Sequence, residues 1–337
     1  MLDSRKKSLC PQHNNNGEAN SQDTTGICPS IPMWITNNKI NIVLDIDQTL
    51  LYGAQCNPSD IAAIKVGNPL LGETIRIFNY KPIAPMIVAL FIRPYAEKMV
   101  EVLSSFCNLY IYTKAIQAYA EHVAVRLDPE NKCFKKIIFN DLYHRAGLKT
   151  LSRLFDEKEQ NKALILDDSP DVWVKHDMPH IIESVNYAPL PQHCIKPTQQ
   201  LWNSLNDKDS PANDFFSFTS YINETFSVNS SQLNVITEFI KSVYLEYLYS
   251  PGTPIQVVYR NRVGKILSGQ SFAIHISCKY YNLWNAVRKL IPIMGGVESE
   301  ESSKIISVDE KGTIEYGYII HCYYYKCALS IEDYIIK

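Results

Sequence analysis

Three short apolar runs, Ile42-Val43-Leu44, Leu109-Tyr110-Ile111-Tyr112 and Leu164-Ile165-Leu166, each stop at a polar residue: Asp45, Thr113 and the pair Asp167-Asp168. Runs of this length and composition read as parallel strands buried on both faces. Between the first two, Pro94 opens a segment with Met99, Val100 and Leu103 on one helical face; after Thr113, the residues Ile116, Tyr119, Ala120, Val123 and Leu127 repeat at helical spacing. Strand, helix, strand, helix predicts an α/β fold with a doubly wound parallel sheet. Ligands of such sheets bind beyond the carboxyl ends of the strands, so Asp45, Thr113 and Asp167 are expected to converge on one crevice. One acid after a strand carries little weight, because loops are polar. Three polar ends brought to one crevice carry much more.

The first of these ends begins Asp45-Ile46-Asp47-Gln48-Thr49-Leu50, with two carboxylates one residue apart. Both can face one phosphoryl group. One carboxylate can attack phosphorus to give an acyl phosphate, while the other protonates the leaving alcohol and then activates the hydrolytic water. Phosphoryl transfer also develops charge that needs a cation. Asp45, the Asp47 backbone carbonyl and the acids at 167 and 168 offer the hard oxygens that Mg²⁺ prefers. No cluster of His and Cys with zinc-like spacing competes for that role.

The chain has 337 residues, 46% of them hydrophobic, enough for about two domains. Its formal charge of -2 gives no global electrostatic reason to bind nucleic acid. The nine cysteines are scattered, several inside apolar runs, which predicts a reduced intracellular protein. There is no secretory h-region and no apolar stretch of roughly 20 residues, so no membrane association is expected. Residues 1–35 are polar and Asn-rich and read as a disordered lead. The polar stretch from Asn203 to Asp214 reads as the boundary of the first domain, 36–200. Val235, Ile236, Phe239, Ile240, Val243 and Tyr247 form a helical stripe within the connector, 201–253, and a small unit follows at 254–337.

The Asp-x-Asp-x-Thr motif after a strand, a second strand ending in Thr, a Lys and then Asp167-Asp168 resemble, in that order, the haloacid-dehalogenase phosphatases. More narrowly, Ile92-Arg93-Pro94, Ile111-Tyr112-Thr113-Lys114, Ala118-Tyr119-Ala120, Leu127-Asp128-Pro129, Lys149 to Phe155 and Asp167-Asp168-Ser169-Pro170-Asp171-Val172-Trp173 resemble the TFIIF-associating phosphatases of the RNA polymerase II C-terminal domain. The resemblance implies Asp45 as nucleophile and Asp47 as general acid and base. It also implies Thr113 and Lys149 as holders of the phosphoryl oxygens, Arg93 as a further phosphate contact, and Asp45, Asp47, Asp167 and Asp168 as the Mg²⁺ site. Asp168 is favoured over Asp167 as the direct ligand. Arg93 and Asp128 also fit ordinary helix-boundary roles.

Two positions depart from the family pattern: Ser169 and Asn140 stand where arginines are common, with Arg145 and Lys114 as replacement candidates. Cys10, His13 and Cys28 faintly resemble a metal element of the same family, yet Ile31 occupies the place of a fourth ligand. From about residue 256, Val263 to Gln270, Phe272 to Ile276, Gly295-Gly296 and Tyr323 to Cys327 resemble a BRCT domain, with Tyr323 in place of its usual Trp and Cys278 in place of a Gly after Ser277. The expectation is a nuclear, Mg²⁺-dependent serine/threonine phosphatase of phosphorylated polymerase tails, with general transcription factors as further partner candidates and no direct nucleic-acid contact. A small-molecule phosphatase would want a sizeable cap between Asp47 and Arg93. A non-enzymatic scaffold would have no need of both Asp45 and Asp47.

Overall fold

The computed structural model describes residues 38–56, 73–77, 86–139, 147–187, 232–275, 281–307 and 314–335. The expectations for residues 1–35, the boundary at 203–214, Asn140, Arg145, Ser277 and Cys278 lie outside them.

A five-stranded parallel sheet, β6-β5-β1-β7-β8, organises the first part of the chain. Its strands are β1 (Ile40–Leu44), β5 (Cys107–Tyr112), β6 (Phe134–Ile138), β7 (Ala163–Asp167) and β8 (Ile181–Glu183). Every residue of β1 and of β7 is buried, as a central strand covered on both faces requires. The register sets Leu44 opposite Ile111 on one side and Leu166 on the other, so β1, β5 and β7 run out at the same level. Helix α1 (Ala96–Phe106) covers the sheet with Met99, Val100, Leu103 and Phe106; α2 (Gln117–Leu127) buries Tyr119, Ala120, Val123, Ala124 and Leu127. These are the apolar faces that the helical spacing predicts.

The segment between the motif and Arg93 forms a second sheet, antiparallel, in the order β2 (Leu51–Cys56), β4 (Met86–Ile92), β3 (Glu73–Ile77). It begins directly after Leu50, so it borders the site.

Helix α3 (Gln232–Leu248) is the predicted connector, with Leu233, Ile236, Phe239, Ile240, Val243 and Tyr244 buried. Tyr244 stacks on Phe106 of α1 at 5.2 Å between ring centres. Helix α4 (Ile255–Val263) follows; its Tyr259 hydroxyl donates to the Ile181 carbonyl, and the Ile255 amide donates to the Asn161 carbonyl. The C-terminal unit is a four-stranded parallel sheet, β10 (Val297–Glu298), β9 (Ser271–His275), β11 (Ile305–Ser307), β12 (Ile314–Glu315), with α5 (Tyr281–Ile293) and α6 (Gly317–Tyr325). Gly295 closes the turn after α5 at φ +80, and a Cβ there would lie 1.8 Å from the Gly264 carbonyl oxygen. Only glycine fits.

One continuous set of buried side chains runs from β1, α1 and α2 through α3 and α4 to α6. The seam is polar at one place: Tyr323 and Tyr324 of α6 donate from their hydroxyls to the half-buried Glu183 of β8, with Lys326 over the Tyr323 ring. The C-terminal unit is therefore packed into the first domain rather than tethered to it.

Candidate active site

Asp45 leaves β1 with its amide donating to the Leu166 carbonyl at 3.0 Å, which places it between the ends of β5 and β7. It is buried, and Lys149 Nζ donates to Asp45 Oδ1 at 2.6 Å and to Asp167 Oδ2 at 2.8 Å. Lys149 reaches this point because its own backbone pairs with Val172 and Val174, and its ammonium lies over the Trp173 and Tyr112 rings. Burial pushes the Asp45 carboxyl above its ordinary range, Lys149 pulls it back, and Asp167 and Asp47 add to the rise. Burial works to lower the Lys149 ammonium, but the facing carboxylates of Asp45 and Asp167 hold it above its usual value.

Asp167 is gripped on both oxygens. Trp173 Nε1 joins Lys149 on Oδ2 at 2.8 Å, and the Ser169 amide donates to Oδ1 at 2.8 Å. Asp168 is tied to the motif itself: Thr49 Oγ1 donates to its Oδ1 at 3.0 Å and accepts from its amide at 3.0 Å. Asn186 Nδ2 adds a contact to Oδ2 at 3.3 Å. Burial, with Asp167 next, raises the Asp168 carboxyl to about 6 against the Thr49 hydrogen bond. Oxygens of Asp45, Asp167 and Asp168 lie within 4.8 Å of one another. Three carboxylates against one ammonium leave an excess of negative charge in a buried place. An all-oxygen set of this kind suits a hard divalent cation and lacks the sulfur and nitrogen donors of zinc sites.

Asp47 stands apart from that triad. Its Oδ1 accepts from the Tyr119 hydroxyl at 2.6 Å. Burial raises its carboxyl, while the Tyr119 hydrogen bond and Lys149 oppose the rise. Thr113 continues β5, is buried, takes the Ile138 carbonyl with its amide and accepts the Ala115 amide on Oγ1 at 3.0 Å. Lys114 is exposed beside it.

Arg93 occupies a different place from the one the resemblance implies. It is 1% exposed, with Nη1 donating at 2.9 Å to both the Thr49 and Val185 carbonyls and Nη2 to Gln232 Oε1 at 2.5 Å. Its plane lies 5.5 Å from the Tyr187 ring. These contacts turn the guanidinium toward the backbone behind the motif, where it braces the Thr49 turn. Asp128 is likewise a turn residue: its Oδ2 accepts the Cys133 amide at 2.7 Å. Sequence reasoning missed Trp173 and Tyr119 as partners of the site acids, and Thr49 as the partner of Asp168. For Thr49, its place in the Asp-x-Asp-x-Thr motif was the available signal.

The profile of the NLI interacting factor-like phosphatases matches residues 40–210, just over half of the chain. A C-terminal domain phosphatase of RNA polymerase II from Encephalitozoon cuniculi is 32% identical over 136 residues, which is 40% of this chain and 29% of that one. The Saccharomyces cerevisiae protein of the same name is 30% identical over 174 residues, 45% of this chain and 23% of its own. The human small phosphatase 1 of the RNA polymerase II carboxy-terminal domain is 26% identical over 143 residues, 42% of this chain and 49% of its own. The chain thus spans less than half the length of these curated relatives. Among solved structures, the fission yeast RNA polymerase II CTD phosphatase Fcp1 bound to beryllium fluoride superposes with a TM-score of 0.63 at 16% identity, over 89% of this chain and 96% of that one. A second Fcp1 structure gives 0.62 at 17%. The α/β fold is therefore shared, and with the family profile matching just over half of the chain, the chain belongs to the NLI interacting factor-like phosphatase family.

Proposed function

We propose that the chain is a Mg²⁺-dependent protein serine/threonine phosphatase that acts through an aspartyl phosphate on the phosphorylated C-terminal domain of RNA polymerase II, in the nucleus. The observation that carries the reading is the Asp45 carboxylate at the end of the central strand, paired with Lys149 and grouped with Asp167 and Asp168. Asp45 attacks phosphorus and the bond from phosphorus to the substrate oxygen breaks, with Asp47 giving that oxygen its proton. Water then attacks the phosphorus; Asp47 takes the water's proton, and inorganic phosphate leaves Asp45 free. Lys149 and Thr113 hold the phosphoryl oxygens, and Lys149 also draws the Asp45 carboxyl back toward its ionised form against the effect of burial. Mg²⁺ held by Asp45, Asp168 and the Asp47 carbonyl would offset charge on the transferring group. Asp167, clasped by Lys149, Trp173 and the Ser169 amide, keeps the ammonium in place. Arg93 supports the turn and is left out of the phosphate contacts.

The substrate assignment rests on the names of the curated relatives, and the small C-terminal α/β unit agrees with the BRCT-like reading. Among the described residues no helix is long and apolar enough to cross a membrane. General transcription factors stay candidates for partners. Phosphate release from phosphoserine heptad peptides, with and without Mg²⁺, tests the proposal. Activity that requires Mg²⁺, selects among the peptides and disappears in Asp45→Asn together with the covalent phosphoenzyme is expected. Turnover of small phosphometabolites alone, or an Asp45→Asn variant that still traps phosphate, contradicts it.

A further inference from the structure

Tyr119 belongs by its spacing to the buried face of α2, where an aromatic ring needs no explanation beyond packing. Its hydroxyl nonetheless ends 2.6 Å from Asp47 Oδ1, across 72 residues of sequence. A second observation concerns the strand opposite. Gly53 of β2 lies against this hydroxyl so closely that a Cβ there would sit 2.5 Å from the Tyr119 oxygen and 3.3 Å from both its ring carbon Cζ and Val88 Cγ1. Gly53 pairs with Leu90 inside a ladder, a position where glycine weakens a strand. Its missing side chain makes the room in which the phenol reaches the carboxyl group.

We propose that Tyr119 is a positioning residue for the acid–base step, with Gly53 keeping its path open; this rests on the phosphatase reading above. A phenol donates one proton, and while it donates to Oδ1 that oxygen is an acceptor. The acid proton of Asp47 is then carried on Oδ2. The same bond fixes the plane of the carboxyl group, so Oδ2 meets the leaving oxygen in the first half-reaction and the water in the second. No new bond to substrate is required of Tyr119 itself.

The consequence is selective. Proton donation matters for a poor leaving group such as a serine alkoxide and hardly at all for dinitrophenolate, which departs as an anion. The experiment measures kcat/KM, which covers the steps through aspartyl-phosphate formation, for a phosphoserine heptad peptide and for dinitrophenyl phosphate. The full chain is used in the wild-type form and as Tyr119→Phe and Gly53→Ala. Both variants are expected to lose about tenfold on the peptide, the size of one hydrogen bond. On the aryl phosphate they should stay within about twofold of the wild type. Equal losses on the two substrates, with a lowered melting temperature, would make Tyr119 a packing residue and overturn the inference. So would a Tyr119→Phe variant with unchanged peptide turnover. A Gly53→Ala variant that behaves as wild type while Tyr119→Phe falls would overturn the part assigned to Gly53. A wild-type chain active on neither substrate sinks the phosphatase reading itself, whereas an active wild type with unaltered variants sinks only the positioning of Asp47.

Discussion

A chain cut after Thr253 should fail to hold the phosphatase fold, although every acid of the site lies before that point. The cut removes Ile255, Val258 and Tyr259, which are 0%, 3% and 6% exposed. Each buried apolar side chain contributes roughly 1.5–3 kcal/mol. Also lost are the hydrogen bonds of Ile255 to Asn161 and of Tyr259 to Ile181, together with the two phenols on Glu183 and the Gln232 contact to the Tyr324 carbonyl. A net value of about 1 kcal/mol per neutral hydrogen bond, and more for those to a carboxylate, brings the total to the order of 10 kcal/mol. That matches the whole stability of an ordinary domain, roughly 5–15 kcal/mol. The damage also sits close to the chemistry, because Glu183 pairs in register with Asp167 and the Ser184 amide donates to the Asp167 carbonyl. Thermal melts and dinitrophenyl phosphate turnover of the cut and full chains provide the assay. A cut chain that melts cooperatively within a few degrees of the full chain and keeps its turnover would refute the shared core.

Replacing Lys149 by Met leaves Asp45 and Asp167 as uncompensated buried charges, a situation that costs roughly 3–5 kcal/mol. The fall in melting temperature should be smaller in Mg²⁺ than in chelator, and turnover should drop by about 10²-fold or more; equal melting losses in both media would separate Lys149 from the metal site. Burial lowers the His321 imidazole to about 4, so between about 6.5 and 4 the unfolded chain binds a proton that the folded chain refuses. Stability should therefore fall as pH drops through that window, by up to about 3 kcal/mol at 1.36 kcal/mol per unit; denaturant titrations of wild type and His321→Asn check it, and an identical pH slope in the variant contradicts it.

The central strands were legible because both faces of β1 and β7 are buried, which forces the continuous apolar runs that sequence displays. The acids were legible for a related reason: strand ends at one level bring Asp45, Thr113 and Asp167 together without any knowledge of side-chain packing. The connector and tail were legible as elements, through helical stripes and glycines, but their docking was not. Nothing near Glu183 announces that a carboxylate of β8 takes two phenols from residues 140 and 141 positions away. Helical spacing puts Tyr119 on the buried face of α2 and is silent about where a hydroxyl at the rim points.

Arg93 shows the same limit at closer range. An arginine before a proline, at the mouth of a phosphate-binding fold, suits an anion contact and a backbone brace equally well, because the guanidinium has five donors and no sequence signal for their direction. What decides between them is Gln232, 139 residues later, whose Oε1 accepts from Arg93 Nη2 and from the Val185 amide. Once that oxygen is in place, the other terminal nitrogen falls between the Thr49 and Val185 carbonyls. Thr49 in turn holds Asp168. The connector helix therefore reaches Asp168 through Gln232, Arg93 and Thr49, of which only Thr49 touches it. A site whose acids are set by strand ends but whose supports are set by the connector helix has its chemistry written locally and its precision written at long range.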